Sequence, residues 1–465
     1  MPKEDETFRD HISTVDEKGK RVWIFPKKPS GWFYSKRKLV SYVFLAILFI
    51  APHIYIFDEP LLMFNIIERK FIIFGKIFWP QDLYLFALAL ILGVIFVIFF
   101  TIIFGRLFCG WICPQTIFME MVFRRIEYLI DGDWTEQKKL KNSKWTKEKI
   151  LKRFTKHTLF WIISFLIANT FLSYIIGARE LWKIQHDPLG QHVGGLIAIV
   201  IFTSVFYGVF TWLREQVCTT ICPYGRLQGV LLDANSMVVA YDEVRGESRA
   251  KIHKGEDRIA AKKGDCIDCM LCVNVCPTGI DIRNGTQLEC INCTACIDAC
   301  DHIMEAVHQP KGLIRFVSEN GIKNKTRFQW TRRVIAYTSL LIGLLIILTV
   351  LLITRRDFDS TILRQRGTTY QVTDDGFITN IFEITVLNKT HNSYKIEIKS
   401  ATEGVDLKVF KSDLTLLKEG SVNSRILLKT KENMIKGSKE NVIIQIYGNG
   451  KLIETIKTKL IGPII

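Results

Sequence analysis

The chain has 465 residues, 48% of them hydrophobic, and a formal net charge of +16 at pH 7. A soluble protein this basic would spread its charge over a surface suited to nucleic acid or acidic partners. Here the apolar residues are gathered into long blocks instead, which argues against a nucleic-acid binder and predicts an integral membrane protein.

Met1–Lys38 is a polar arm with ten Lys and Arg. Five blocks free of Asp, Glu, Lys and Arg follow it: Leu39–Phe57, Leu83–Phe104, Leu159–Ile176, Val193–Leu213 and Val334–Ile353. Each approaches the length that crosses a hydrocarbon core, and five such stretches seldom share one soluble chain. Arg106–Lys156 holds twelve Lys and Arg, against three in Asp58–Asp82 and two in Gly177–His192. Cytoplasmic loops accumulate basic residues, so the N-terminus is predicted inside and the C-terminus, after five spans, outside. Arg355 and Arg356 oppose that orientation, while Lys323, Lys325, Arg327, Arg332 and Arg333 support it. The first apolar run starts too late for a cleavable signal and is expected to remain as an anchor.

The membrane domain, 39–230, reads as two hairpins, each closing on Cys-x-x-x-Cys-Pro: "FGRLFCGWICPQTIF" and, about a hundred residues later, "REQVCTTICPYGRL". The repeat suggests a tandem, parallel architecture. Positions i and i+4 share one face of a helix, so Cys109 with Cys113, and Cys218 with Cys222, are expected to present sulfurs side by side. Pro114 and Pro223 should kink or end the helix there. Matched pairs before proline argue against cysteines that merely pack as small hydrophobes. Four soft thiolates at the inner leaflet suit Cu(I), or a further iron–sulfur or zinc centre. Between the hairpins, "DWTEQKKLKNSKWTKEKILKRF" has helical character.

Residues 231–329 contain the other eight cysteines. Cys266, Cys269, Cys272 and Cys276 follow Cys-x2-Cys-x2-Cys-x3-Cys-Pro; Cys290, Cys293, Cys296 and Cys300 repeat it, with Asp301 in place of the proline. Two such runs predict a bacterial-type ferredoxin with two [4Fe–4S] clusters, the fourth cysteine of each run crossing to the other cluster. The expected sets are Cys266, Cys269, Cys272, Cys300 and Cys290, Cys293, Cys296, Cys276. Zinc knuckles would leave a longer gap between paired cysteines. Asp265, Asp268, Asp281, Glu289, Asp298, Asp301 and Glu305 make this segment acidic, a charge that would let it lie against the basic loop. His53, His186, His192, His302 and His308 read as ordinary packed or interfacial histidines. After the fifth span, 357–465 shows alternating strands, "FITNIFEITVL", "SYKIEIKS" and "NVIIQIYG", and predicts an Ig-like β-sandwich acting as a docking module.

Taken together, these motifs and the N-terminal "DEKGKRVWIFPKKPSGWF" resemble the FixG/CcoG (RdxA) family of membrane iron–sulfur proteins along nearly the whole chain. The resemblance implies a bacterial inner-membrane protein that reduces Cu(II) to Cu(I) for assembly of a cbb-type cytochrome c oxidase. Its clusters would supply the electrons, and Cys109, Cys113, Cys218 and Cys222 would handle copper. Oxidase assembly factors or copper chaperones are the implied partners, with an unknown electron donor. The alternative is a quinol-linked electron-transfer subunit of the shorter NapH type, which shares the core and has no need of the β tail.

Overall fold

The computed structural model describes residues 13–463 apart from 17, 57, 67–69, 80–81, 189, 254–255, 259, 326–329, 374, 412–413, 419 and 436–437. The start of the N-terminal arm, the last residue of the first predicted span and Arg327 therefore lie outside the described residues. The chain forms two compact units: Met1–Tyr55, Pro60–Glu68 and Tyr84–Leu348 in one, Ile56–Glu59, Arg69–Leu83 and Thr349–Ile465 in the other.

Five helices follow the apolar blocks: α1 (Trp32–Ile50), α2 (Leu83–Phe104), α3 (Lys147–Ile176), α4 (Val193–Gly208, continued by a π turn at Val209–Leu213) and, past the ferredoxin segment, α6 (Arg332–Ile353). Four of them, α2, α3, α4 with its π turn, and α6, are long and apolar enough to cross a membrane. The first block departs from expectation, because α1 starts on the polar arm, takes in Lys36, Arg37 and Lys38, and stops at Ile50. Its apolar part, Leu39–Ile50, measures about 18 Å at the helical rise, against a core of about 30 Å. Pro52 explains the stop. It has no amide to offer Leu48, whose carbonyl accepts from the Tyr174 hydroxyl of α3 instead, at 2.9 Å.

At its other end, α1 is tied to the ferredoxin segment. The Asp298 carboxylate, on α5 (Ala295–Ala306), accepts from the amides of Phe33 at 3.1 Å and Tyr34 at 2.7 Å. These are among the donors a helix start leaves open. The arm before α1 also docks there, through Lys27 N–H to Asn274 O at 2.7 Å. The basic loop is helical as predicted: Asp133 and Glu136 form a capping box for Trp134–Asn142, and Thr146 caps α3.

Both hairpins end in the same turn. Gly105 and Arg214 each stand four residues before the first cysteine of a pair, with φ of 57° and 53°. Glycine adopts this conformation freely; arginine does not. Arg214 is held there by a bidentate pair with buried Glu127, at 2.7 and 2.8 Å. Burial alone would raise the Glu127 pKa, but Arg214 outweighs it and the net direction is down. Around this pair lie Lys156 with Asp131, Arg124 with Glu120 and Glu215, and Arg21 with Glu215.

The second unit is a two-sheet sandwich. One sheet runs Val405–Val409, Ser421–Lys431, Phe377–Asn388, Phe358–Arg364, with Gln371–Val372 added beside Phe377–Asn388; the other runs Thr415–Leu416, Tyr394–Ser400, Lys439–Gly448, Lys451–Ile461. Alternation along Ser421–Lys431 sends Ile426 and Leu428 inward to meet Val442, Ile444 and Ile446. The predicted strands are found within a few residues of their sequence bounds.

Candidate metal centres

The two Cys-x-x-x-Cys-Pro motifs do not lie along continuous helices. Cys109 sits in a short helix, Leu107–Trp111, which ends before Cys113; Cys113 is extended (φ −57°, ψ 124°) and Pro114 opens the next helix. Cys222 is likewise extended (φ −68°, ψ 114°) ahead of Pro223, and Cys218 lies in a π turn, Val217–Ile221. In both motifs the amide of the second cysteine reaches five residues back, Cys113 to Phe108 O at 2.9 Å and Cys222 to Val217 O at 2.8 Å. Proline disfavours helical geometry at the residue before it and then suits the first position of a new helix. As the prolines predicted, the helix ends before the second cysteine of each pair, so the two cysteines do not share one continuous helix.

That break brings the two motifs together. Cys109 lies in the electrostatic field of Cys113 and Cys222, and Cys218 in that of Cys113 and Cys109. Thr116, just after the first motif, is 3.9 Å from the Cys218 sulfur. Burial raises the thiols of Cys109 and Cys113, and pushes Cys218 up to about 12. Thiols so raised are protonated at neutral pH, and a metal would have to displace those protons to bind.

The eight remaining cysteines surround two cavities. Cys266, Cys269, Cys272 and Cys300 line one; Cys276, Cys290, Cys293 and Cys296 line another, which Cys272 also borders. Each cavity thus gathers three cysteines of one run and the fourth of the other. The walls are otherwise largely apolar, with Ile303, Met304 and Leu313 in the first and Val239, Ile280 and Ile291 in the second. Burial pushes Cys272, Cys290 and Cys300 up to about 12 and Cys293 to about 11. The four-cysteine donor set and the apolar, buried walls of each cavity fit cubane clusters. Among the described residues, no three Cys, His, Asp or Glu side chains are grouped tightly enough for one metal ion. A cubane instead spreads its four thiolates around a polynuclear core.

One of the four thiols, Cys109, adjoins the second cavity. Cys109 belongs to the same buried cluster as Val275, Ile291 and Cys293. Gly110 permits this approach, because a Cβ there would stand 2.4 Å from the Ile291 carbonyl oxygen. Several residues went unread in the sequence. Gln228, fully buried, accepts from Arg106 Nε at 2.8 Å and from the Cys109 sulfur at 3.2 Å. Thr101 and Tyr224, 3.0 Å apart, complete that wall. Only the reach of "PYGRLQ" beyond its cysteines hinted at them. The acidic residues of the ferredoxin segment are engaged within the first unit, Asp298 at α1, Asp265 with Arg245, Asp281 and Asp268 with Arg283. His192 pairs with Asp187 at 3.0 Å, and His186 stacks on Trp182.

Known proteins repeat this layout. A model of a 4Fe-4S dicluster domain matches residues 213–319, a 4Fe-4S binding domain matches 86–137, which includes Cys109 and Cys113, and the Ig-like fold at the C-terminus of FixG matches 348–463. Protein RdxB of Cereibacter sphaeroides is 33% identical over 89% of this chain and 88% of its own length. Protein RdxA of the same organism is 34% identical over 79% of this chain and 80% of its own. The ferredoxin-type protein NapH of Haemophilus influenzae is more distant, at 22% over 43% of this chain and 56% of its own. Identity of a third sustained from the membrane helices through the Ig-like tail, and not over the cysteine runs alone, means that this chain belongs to the FixG/RdxA family of iron–sulfur electron-transfer proteins.

Proposed function

We propose that this protein is a membrane-bound one-electron reductase that converts Cu(II) to Cu(I) for assembly of a cbb-type cytochrome c oxidase. The observation that carries the reading is the junction at Cys109, which neighbours the other three thiols and lies in the same buried cluster as Cys293 of a cluster cavity. Cys266, Cys269, Cys272 and Cys300 would hold one [4Fe–4S] cluster, and Cys276, Cys290, Cys293 and Cys296 the other. Such clusters supply one-electron carriers, and Cu(II)/Cu(I) is a one-electron couple. Copper is the substrate. Cys109, Cys113, Cys218 and Cys222 would handle it, as one site or two, closing round the ion on binding, and thiolate sulfur favours the reduced ion.

The chain crosses the bacterial inner membrane five times in this reading, with domains at 1–38, 39–230, 231–329, 334–353 and 357–465. Although α1 is short, its start is anchored to Asp298 and its far end bonds Tyr174 near the end of α3. That contact supports a path beside α3. The Lys and Arg distribution supports a cytoplasmic ferredoxin segment and an outer sandwich that docks an assembly partner or copper chaperone. The Ig-like tail favours this function over a NapH-type quinol-linked one.

The test is an anaerobic EPR titration of dithionite-reduced protein with Cu(II). Each Cu(II) signal lost should be matched by one electron lost from the reduced clusters. A Cys109→Ala/Cys113→Ala variant should keep its iron and sulfide but lose copper binding. Unchanged copper affinity in that variant would exclude the site.

A further inference from the structure

The cations beside the two cavities differ in what neutralises them. On the side of the inner one, lined by Cys276, Cys290, Cys293 and Cys296, Arg37 and Arg106 are only 2% and 3% exposed and reach the backbone at Gly110 and at Leu288, two residues before Cys290. Arg37 Nε donates to Gly110 O at 2.7 Å, and its Nη2 has no hydrogen-bond partner. Arg106 donates to Gln228 and to the Leu288 carbonyl. Among the described residues, both spend their hydrogen bonds on neutral groups and neither forms an ion pair. Burial raises the thiols of Cys293 and Cys290; the nearby cations opposing it are Arg37 for the first and Arg106 for the second.

The outer cavity, lined by Cys266, Cys269, Cys272 and Cys300, has Arg283 instead. Its guanidinium is neutralised by Asp281 at 2.6 Å and by Asp268. Asp301 adds a negative charge beside Cys300, and Cys269 is exposed.

We infer that Arg37 and Arg106 raise the reduction potential at the inner cavity above that at the outer one, making electron flow run from the exposed Cys269 side toward Cys109. Reduction adds one negative charge. Burial by itself penalises that charge, and an unneutralised buried cation offsets the penalty, the more strongly because the surrounding dielectric is low. At the outer cavity the two carboxylates cancel the equivalent help from Arg283. In the step itself the outer cluster loses one electron and the inner cluster gains it; no bond is made and no proton moves. Neither arginine is a ligand, and each acts through charge alone.

This inference rests on the two-cluster reading, and the experiment separates them. Full-length protein is purified anaerobically, assayed for iron and sulfide, and titrated by EPR-monitored potentiometry. Wild type should show two separable potentials. Arg37→Gln and Arg106→Gln should each lower the higher potential and leave the lower one in place, Arg37→Lys should restore it, and Asp281→Asn should raise the lower one. Variants with full iron content and both potentials unmoved would overturn the inference. Iron and sulfide short of two clusters in wild type would instead overturn the reading beneath it. If Arg37→Gln fails to assemble, Arg106→Gln, which leaves α1 untouched, decides the matter alone.

Discussion

Asp82 carries two cations on one buried carboxylate: Lys389 Nζ at 2.7 Å from one oxygen and Arg355 Nη2 at 2.7 Å from the other. Burial alone would raise its pKa, but Lys389 and Arg355 outweigh that and hold it below the ordinary carboxylate value. A depressed pKa gives stability that is complete above the unfolded value, about 4, and is lost as pH falls through the folded value. Protection of the sandwich amides from hydrogen exchange should therefore stay level from neutral pH down to about pH 4 and decline below it. Asp82→Asn should flatten that acid-side decline and cost about 3 kcal/mol at neutral pH, because two buried cations lose their partner. Equal protection in the variant would mean that Arg355 and Lys389 find other acceptors. The same pairing cancels the charge of Arg355 against Asp82. Nothing in the local sequence links residues so far apart.

At the level of single elements, close approach and capping decide how the centres are held. Gly110→Ala puts a methyl group against the Ile291 carbonyl, and overpacking of this kind costs about 1–3 kcal/mol. Its expected outcome is loss of iron from the inner cavity with the outer one retained, read as half the wild-type iron and a simplified EPR spectrum; full iron would show that the backbone yields. Asp298→Ala removes the acceptor for the Phe33 and Tyr34 amides, a capping loss of about 1 kcal/mol. Faster tryptic cleavage at Lys36–Lys38 should report it, with Asp298→Asn close to wild type because one oxygen can still accept. The β-strands were legible because a period of two needs only a sheet with one buried face. The proline break at each Cys-x-x-x-Cys pair was legible, because proline cannot continue a helix, but the approach of the two pairs to each other was not.

For the whole molecule, orientation is the claim most open to direct measurement. Protease added to spheroplasts should remove the sandwich, 357–463, and spare the ferredoxin segment; digestion of both, or of neither, would refute the proposed crossings. The sequence by itself determined four long apolar helices, two four-cysteine runs and the Ig-like tail, since each rests on a local pattern of hydrophobicity or a spacing that one stretch of chain can satisfy. Only the tertiary structure decided that Asp298 accepts from the first amides of α1, that four cysteines from two hairpins become neighbours, and that Arg37 and Arg106 are buried with neutral hydrogen-bond partners among the described residues. Those facts depend on packing between residues tens to hundreds of positions apart, where neither periodicity nor spacing carries information.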